Sequence, residues 1–124
     1  AHHPTEISSV LDGVSKVYDK EEIVCIFQPH RISRVKNLKN EFSKCFKNAN
    51  TILLCPIYKA SETIKLGFSY TSFAKLIAKN SKVNLIMLNN EAELKKVVKS
   101  LAFGKKIFIA MGAGSISNWV RNLN

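Results

Sequence analysis

The strongest constraint on the fold is a regular alternation between short apolar runs and segments of helical periodicity. The apolar runs are continuous and rich in β-branched residues, as expected of strands buried on both faces of a parallel sheet. They are IVCIFQ (23–28), TILLCPIY (51–58), VNLIML (83–88) and KIFIAM (106–111). Pro56 has no N–H to donate to a sheet, so we expect it to mark the end of the second strand.

The segments between these runs carry apolar residues at spacings of three and four, which predicts helices. The predicted helices lie in PTEISSVLDGVSKVY, SRVKNLKNEFSKCF, YTSFAKLIAK, NEAELKKVVKSL and GAGSISNWVRNL. Asn90, with Glu93 three residues later, resembles a capping box. Strands alternating with helices indicate βαβ units. We therefore expect one α/β domain over residues 1–124, a three-layer Rossmann-like domain with a mostly parallel sheet and helices on both faces.

The chain is strongly basic, with 19 Lys and Arg residues and a formal net charge of +10 in 124 residues. The lysines fall on several predicted helices without the interleaved aromatics of a stacking platform, which favours solvated helix faces over a nucleic-acid interface. The seven lysines that we assign to such faces are Lys16, Lys44, Lys47, Lys75, Lys79, Lys95 and Lys99. A modest attraction to anionic substrates remains compatible with this charge.

The cysteines and the hydropathy bear on the cellular environment. Cys25, Cys45 and Cys55 are odd in number and have no CxxC spacing, so we expect a reducing cytoplasm and no disulfides. The apolar runs are all shorter than the roughly 20 residues needed to cross a bilayer, which predicts no membrane partner.

The arginines are unevenly placed. Two of the three, Arg31 and Arg34, lie in FQPHRISR just after the first predicted strand. Ligands of parallel α/β sheets bind beyond the carboxyl ends of the strands, and a guanidinium grips a carboxylate or phosphate through two parallel hydrogen bonds. We therefore favour a ligand-binding role over the alternative of surface ion pairs with Glu41 or Glu62. The same rule indicates three further candidate ligand-binding segments, which are the loop after Tyr58, the turn after Leu88, and GAGS.

The other motifs are less specific. GAGSIS has Ser117 where a dinucleotide fingerprint has its third small residue, so a tight turn eased by Gly112 and Gly114 is the favoured interpretation. His2 and His3 are adjacent and lack the i, i+4 spacing of zinc helices. No catalytic triad and no GxxxxGK[ST] phosphate loop is present. The chain alone is therefore not expected to be a complete enzyme.

Taken together, AHHPTEI, FQPHRISR leading to NEF, IYKASE and GAGSI resemble the C-terminal domain of the ATP-dependent Mur ligases of peptidoglycan synthesis, in particular the alanine-adding member. The resemblance runs from Ala1 to Leu123. It implies a fragment of a three-domain enzyme that joins L-alanine to UDP-N-acetylmuramate through an acyl phosphate. ATP and Mg would be bound mainly by the missing central domain.

The resemblance also implies site residues and partners. His2, Arg31 and Arg34 would hold the alanine carboxylate, with His30 beside them, and no catalytic residue and no metal ligand is assigned in this segment. The implied partners are L-alanine, UDP-N-acetylmuramate, and the N-terminal and central domains of the same chain, without nucleic acid. Two alternatives remain open, the same domain of the muropeptide-recycling ligase and a freestanding Rossmann-like module that binds nucleotides or anions.

Overall fold

A parallel sheet forms the centre of the structure. The structure is a computed structural model that describes residues 3–30, 32–57, 69–112 and 116–123, with every side chain in these ranges except that of Ile32. Its described residues form four strands in the order β3-β2-β1-β4, all parallel. The strands are β1 (Ile23–Gln28), β2 (Thr51–Leu54), β3 (Asn84–Met87) and β4 (Ile107–Gly112). The predicted α/β Rossmann-like fold is confirmed.

Helices connect the strands in the predicted order. The described helices are α1 (Pro4–Ser15), α2 (Ile32–Asn37), α3 (Lys39–Lys44), α4 (Tyr70–Ser81), α5 (Glu91–Leu101) and α6 (Ile116–Arg121), and a 3-10 turn (Lys20–Glu22) precedes β1. One prediction was wrong, because the single helix expected across residues 33–46 is divided at Leu38, whose φ of −115° and ψ of 20° leave the helical region. The apolar spacing of three and four continues across the break, so periodicity could not locate it.

The helices bury two hydrophobic layers, one on each face of the sheet. On one face, Cys25 and Phe27 of β1 pack in a cluster with residues of α1, α3 and α4, among them Leu11, Phe42 and Ile77. On the other face, the cluster joins β1 and β2 to α5 and α6 through Val24, Ile26, Leu53, Leu94 and Ile116. Alternate residues of a strand point to opposite faces, which explains why all six residues of β1 are buried.

The two outer strands are more exposed than their apolar sequences suggest. Ile86 and Met87 of β3 are 36% and 38% exposed, and Ala110 of β4 is also exposed. The interpretation that every apolar run is buried on both faces therefore holds for β1 and β2 but not for β3 and β4. Being the outer strands, they have a neighbouring strand on one side only, and helix α5 leaves Ile86 uncovered.

The charged and sulfur-containing side chains are distributed as the sequence predicts. All seven lysines assigned to solvated faces are exposed. The three cysteines are buried free thiols, and burial raises the pKa of Cys45 and of Cys55 to about 12. Among the described residues, no helix combines the length and the apolar character needed to span a bilayer.

Candidate functional site at the carboxyl edge of the sheet

The predicted site residues belong to segments that meet at one edge of the sheet. His30 lies two residues after the end of β1, and Arg34 lies in α2, which begins four residues after β1 ends. A helix that precedes a parallel strand runs antiparallel to it, so the N-terminus of α1 lies at the same edge. His3 is found there. The parallel topology thus places His3, His30 and Arg34 at one edge, whereas His2 and Arg31 lie outside the described residues.

Arg34 has the environment expected of a ligand-binding arginine. Its side chain is half-buried, and its Nη1 atom is fully buried without a hydrogen bond to the part of the chain that the structure describes. It also forms no ion pair with Glu41 or any other described acid, while Glu62 lies outside the described ranges. A buried donor left unsatisfied costs roughly 1–3 kcal/mol, which an anionic ligand at this position would offset.

The two described histidines differ in their surroundings. His30 is half-buried and lies in the segment that connects β1 to α2. His3 is the N-cap of α1, where its Nδ1 atom accepts a hydrogen bond from the Thr5 N–H at 3.3 Å. An N-cap acceptor satisfies one of the free N–H groups of the first helical turn. His3 therefore has a structural role at the edge where His30 and Arg34 are found.

Gln28 is a residue of this edge that the sequence analysis missed. It is the last residue of β1 and only 3% exposed. Its Nε2 atom donates to the Pro56 carbonyl at 3.0 Å, and its Oε1 atom accepts from the Ile116 N–H at 2.9 Å. The available signal was a polar residue that ends a continuous apolar strand, because a buried polar group is almost always hydrogen-bonded.

Gly112, at the end of β4, comes unusually close to the same residue. It pairs with Gln28 in the sheet, and its φ is +134°. A Cβ atom at this position would lie 2.2 Å from the Gln28 carbonyl oxygen, which no ordinary contact allows. The prediction that Gly112 relieves steric crowding is confirmed at the end of the last strand, whereas Gly114 lies outside the described residues.

The edge also contains a half-buried tyrosine. Tyr70, the first residue of α4, donates a hydrogen bond from its hydroxyl to the Cys55 carbonyl just after β2. Burial raises the pKa of Tyr70 far above its usual value, so the phenol stays neutral. This bond ties the start of α4 to the end of β2, as Gln28 ties the start of α6 to the end of β1.

The described residues do not provide a metal centre. No group of three or more His, Cys, Asp or Glu side chains among them is arranged to hold an ion. Described residues line two cavities, one of about 340 Å³ between the N-terminal half of α1 and the end of α3, and one of about 310 Å³ beside Lys20, Lys47 and Lys82. Neither is lined by His30 or Arg34. The candidate site therefore consists of Arg34, His30 and the carboxyl ends of β1, β2 and β4.

Comparison with solved structures supports the fold. A crystal structure of a UDP-N-acetylmuramate-alanine ligase from Thermotoga maritima matches 99% of this chain with a TM-score of 0.68 and 27% identity, and the match covers 24% of that protein. A murein peptide ligase from Psychrobacter arcticus matches 99% of this chain and 25% of its own with a TM-score of 0.72, but its 18% identity supports the fold alone.

Comparison with curated sequences identifies the relatives. The UDP-N-acetylmuramate–L-alanine ligase of Pelagibacter ubique is 60% identical over 123 residues, which are 99% of this chain and 26% of that protein. The enzyme of the same name from Hyphomonas neptunium is 35% identical over 98% of this chain and 26% of its own length. No family model matches the chain. This chain thus spans about a quarter of the length of these relatives, and as a fragment it is similar to the C-terminal part of UDP-N-acetylmuramate–L-alanine ligases.

Proposed function

We propose that this chain is the domain that holds the amino-acid substrate of an ATP-dependent ligase, which joins L-alanine to UDP-N-acetylmuramate in the cytoplasm during peptidoglycan synthesis. In this proposal residues 1–124 form one domain of a three-domain enzyme. The observation that carries it is the buried Nη1 of Arg34, which has no hydrogen-bond partner among the described residues, in a chain 60% identical to a quarter of a ligase of that name.

Arg34 is suited to the carboxylate of L-alanine. A guanidinium offers two parallel N–H donors to a carboxylate, and a lysine cannot reproduce that geometry. His2, His30 and Arg31 complete the proposed carboxylate site, as the resemblance to the family implies. Anchoring the carboxylate fixes the direction in which the amine of alanine points, and such orientation is worth several kcal/mol in a bimolecular reaction. The chain thus contributes the positioning of L-alanine, and we assign no general acid or base to it.

ATP and Mg²⁺ do not fit the residues described here. The family uses them to activate the muramyl carboxylate as an acyl phosphate. This chain has no phosphate-loop motif, and its described residues hold no cluster of potential metal ligands. We therefore assign ATP and Mg²⁺ to the central domain of the full-length enzyme. The isolated chain is expected to be inactive.

The direct test is phosphate release from ATP by the full-length protein. UDP-N-acetylmuramate and L-alanine are added singly and together, and release that requires both supports the proposal. Release that requires a muropeptide in place of alanine favours the recycling ligase. If a folded full-length protein turns over with neither, the ligase assignment is wrong, and a salt-dependent affinity for polyanions would then support the binding-module alternative.

A pair of arginine variants tests the role of Arg34 in the same enzyme. We expect Arg34→Lys to raise the KM for L-alanine by a factor corresponding to roughly 1.5–3 kcal/mol, because a charged hydrogen bond is lost. Arg121→Lys is the matched control, since Arg121 is exposed on α6 and bonds to Asn118 at 2.9 Å. Equal alanine KM values in the two variants would contradict the carboxylate-binding role.

A further inference from the structure

Gln28 is the point at which several segments of the carboxyl edge are joined. We propose that it is a positioning residue for the reaction, holding the end of β2 and the start of α6 at fixed distances from the segment that carries His30 and Arg34. The inference rests on the proposed function for its kinetic consequence. Its structural consequence can be measured separately.

The hydrogen bonds that the Gln28 side chain makes to Pro56 and Ile116 require an amide at this position. The Pro56 carbonyl can only accept, and the Ile116 N–H can only donate, so the orientation of the side-chain amide is fixed by its partners. A carboxamide offers one donor group and one acceptor in a single planar unit. A hydrocarbon side chain of the same length satisfies neither partner, and an ionised carboxylate satisfies only Ile116.

Gln28 contacts the chain on both sides of residues 113–115, which lie outside the described residues. Gly112, which precedes them, lies against the Gln28 backbone so closely that no Cβ would fit. Ile116, which follows them, donates to the Gln28 side chain. Pro56, the third contact, precedes the long segment after β2, and His30 follows Gln28 by two residues. One buried residue therefore sets the relative positions of three strand ends.

A structural role alone would lower stability without changing substrate affinity, so the test needs a matched control. Ser81 is also buried, at 2% exposed, and it also makes two hydrogen bonds, donating to the Ser43 carbonyl and accepting from the Phe46 N–H. These bonds join α4 to the segment before β2, at the opposite edge of the sheet. Ser81→Ala should therefore lower the melting temperature and leave the KM for L-alanine unchanged.

The kinetic experiment uses the full-length enzyme and three variants. We expect Gln28→Met, which keeps the side-chain length, to raise the KM for L-alanine by roughly 10- to 100-fold, in line with the effect of small misplacements on substrate orientation. Gln28→Glu should also raise the KM for L-alanine, and this KM should fall back toward the wild-type value as the pH is lowered. A protonated carboxyl can donate to Pro56 and still accept from Ile116. Wild-type enzyme and Ser81→Ala should lack this additional pH dependence.

Hydrogen exchange of the same proteins provides the function-independent readout. Gln28→Met should accelerate exchange in peptides covering residues 112–123, and Ser81→Ala should not. Unchanged exchange there, or an unchanged alanine KM in an active Gln28→Met enzyme, would overturn the inference. If the wild-type protein does not turn over with L-alanine, the proposed function fails, and the exchange result alone decides whether Gln28 fixes these segments.

Discussion

Three glycines in different surroundings provide a graded test of the packing at the carboxyl edge. Gly112→Ala places a Cβ atom 2.2 Å from the Gln28 carbonyl oxygen, with 3.1 Å to the carbonyl carbon and amide nitrogen of the same residue. All three are backbone atoms, so relief requires β4 to move away from β1. The φ of +134° adds backbone strain of roughly 1–3 kcal/mol, and overpacking typically adds about 1–3 kcal/mol. We therefore expect a loss of about 2–6 kcal/mol.

Gly104 and Gly13 separate the two contributions. Gly104 has a φ of +76° with nothing within 4 Å of a built Cβ, so Gly104→Ala should cost only the roughly 1–2 kcal/mol of left-handed backbone. Gly13 is exposed within α1 and also has open space, so Gly13→Ala should stabilise the chain by about 0.5–1 kcal/mol. The three substitutions add the same methyl group, which makes their differences attributable to position.

Urea unfolding followed by tryptophan fluorescence measures all three variants. Trp119 is the only tryptophan in the sequence and packs against the cluster on the α5–α6 face, so its emission reports loss of the fold. The expected order of unfolding free energies is Gly13→Ala, wild type, Gly104→Ala, Gly112→Ala, from most to least stable. The reasoning is refuted if Gly112→Ala costs no more than Gly104→Ala, because the close approach to Gln28 would then have no energetic consequence.

Two further predictions concern a helix cap and the buried thiols. Asn90→Ala removes the 2.9 Å bond from the Glu93 N–H and should lower the unfolding free energy by about 1 kcal/mol in urea, and an unchanged midpoint would argue against the cap. Burial in the fold raises the pKa of Cys45 and of Cys55 to about 12 from their ordinary value near 9. Their contribution to stability is therefore complete below about pH 8.5 and declines as the pH rises above it. Each should contribute a slope of up to about 1.4 kcal/mol per pH unit above pH 9. Replacing both by alanine should reduce but not abolish the fall in unfolding free energy measured between pH 8.5 and 10, because burial also raises the pKa of Cys25.

Local sequence patterns predicted the central architecture well. The run IVCIFQ coincides with β1, and the alternation of strands and helices was sufficient to predict the parallel sheet. The capping pair was predicted in part, because Asn90 does cap α5 while the Glu93 carboxylate accepts from the Asn89 N–H and not from Asn90. Such features depend on residues close in sequence, which makes them legible before the tertiary structure is known.

Features that depend on residues distant in sequence could not be predicted from local patterns. Gln28 finds its partners 28 and 88 residues away, and a sequence pattern does not reveal which carbonyl and which N–H will meet it. The exposure of Ile86 follows from the position of β3 at the outside of the sheet. Strand order is a tertiary property, and an apolar run reads alike in a central and an outer strand.

The motif FQPHRISR combines residues with different tasks along a few positions. Phe27 is fully buried and packs its ring against those of Phe42 and Phe46, at centroid distances of 5.7 and 5.1 Å, so the motif begins in the core. Gln28 joins the neighbouring strand ends, and Arg34 then carries a buried guanidinium nitrogen that no described residue satisfies. A binding group is most effective when its orientation is fixed before the ligand arrives, since less freedom is then lost on binding. Under the proposed function, this order of core residue, strand-end residue and arginine accounts for an arginine at position 34, shortly after the central strand of a lysine-rich chain.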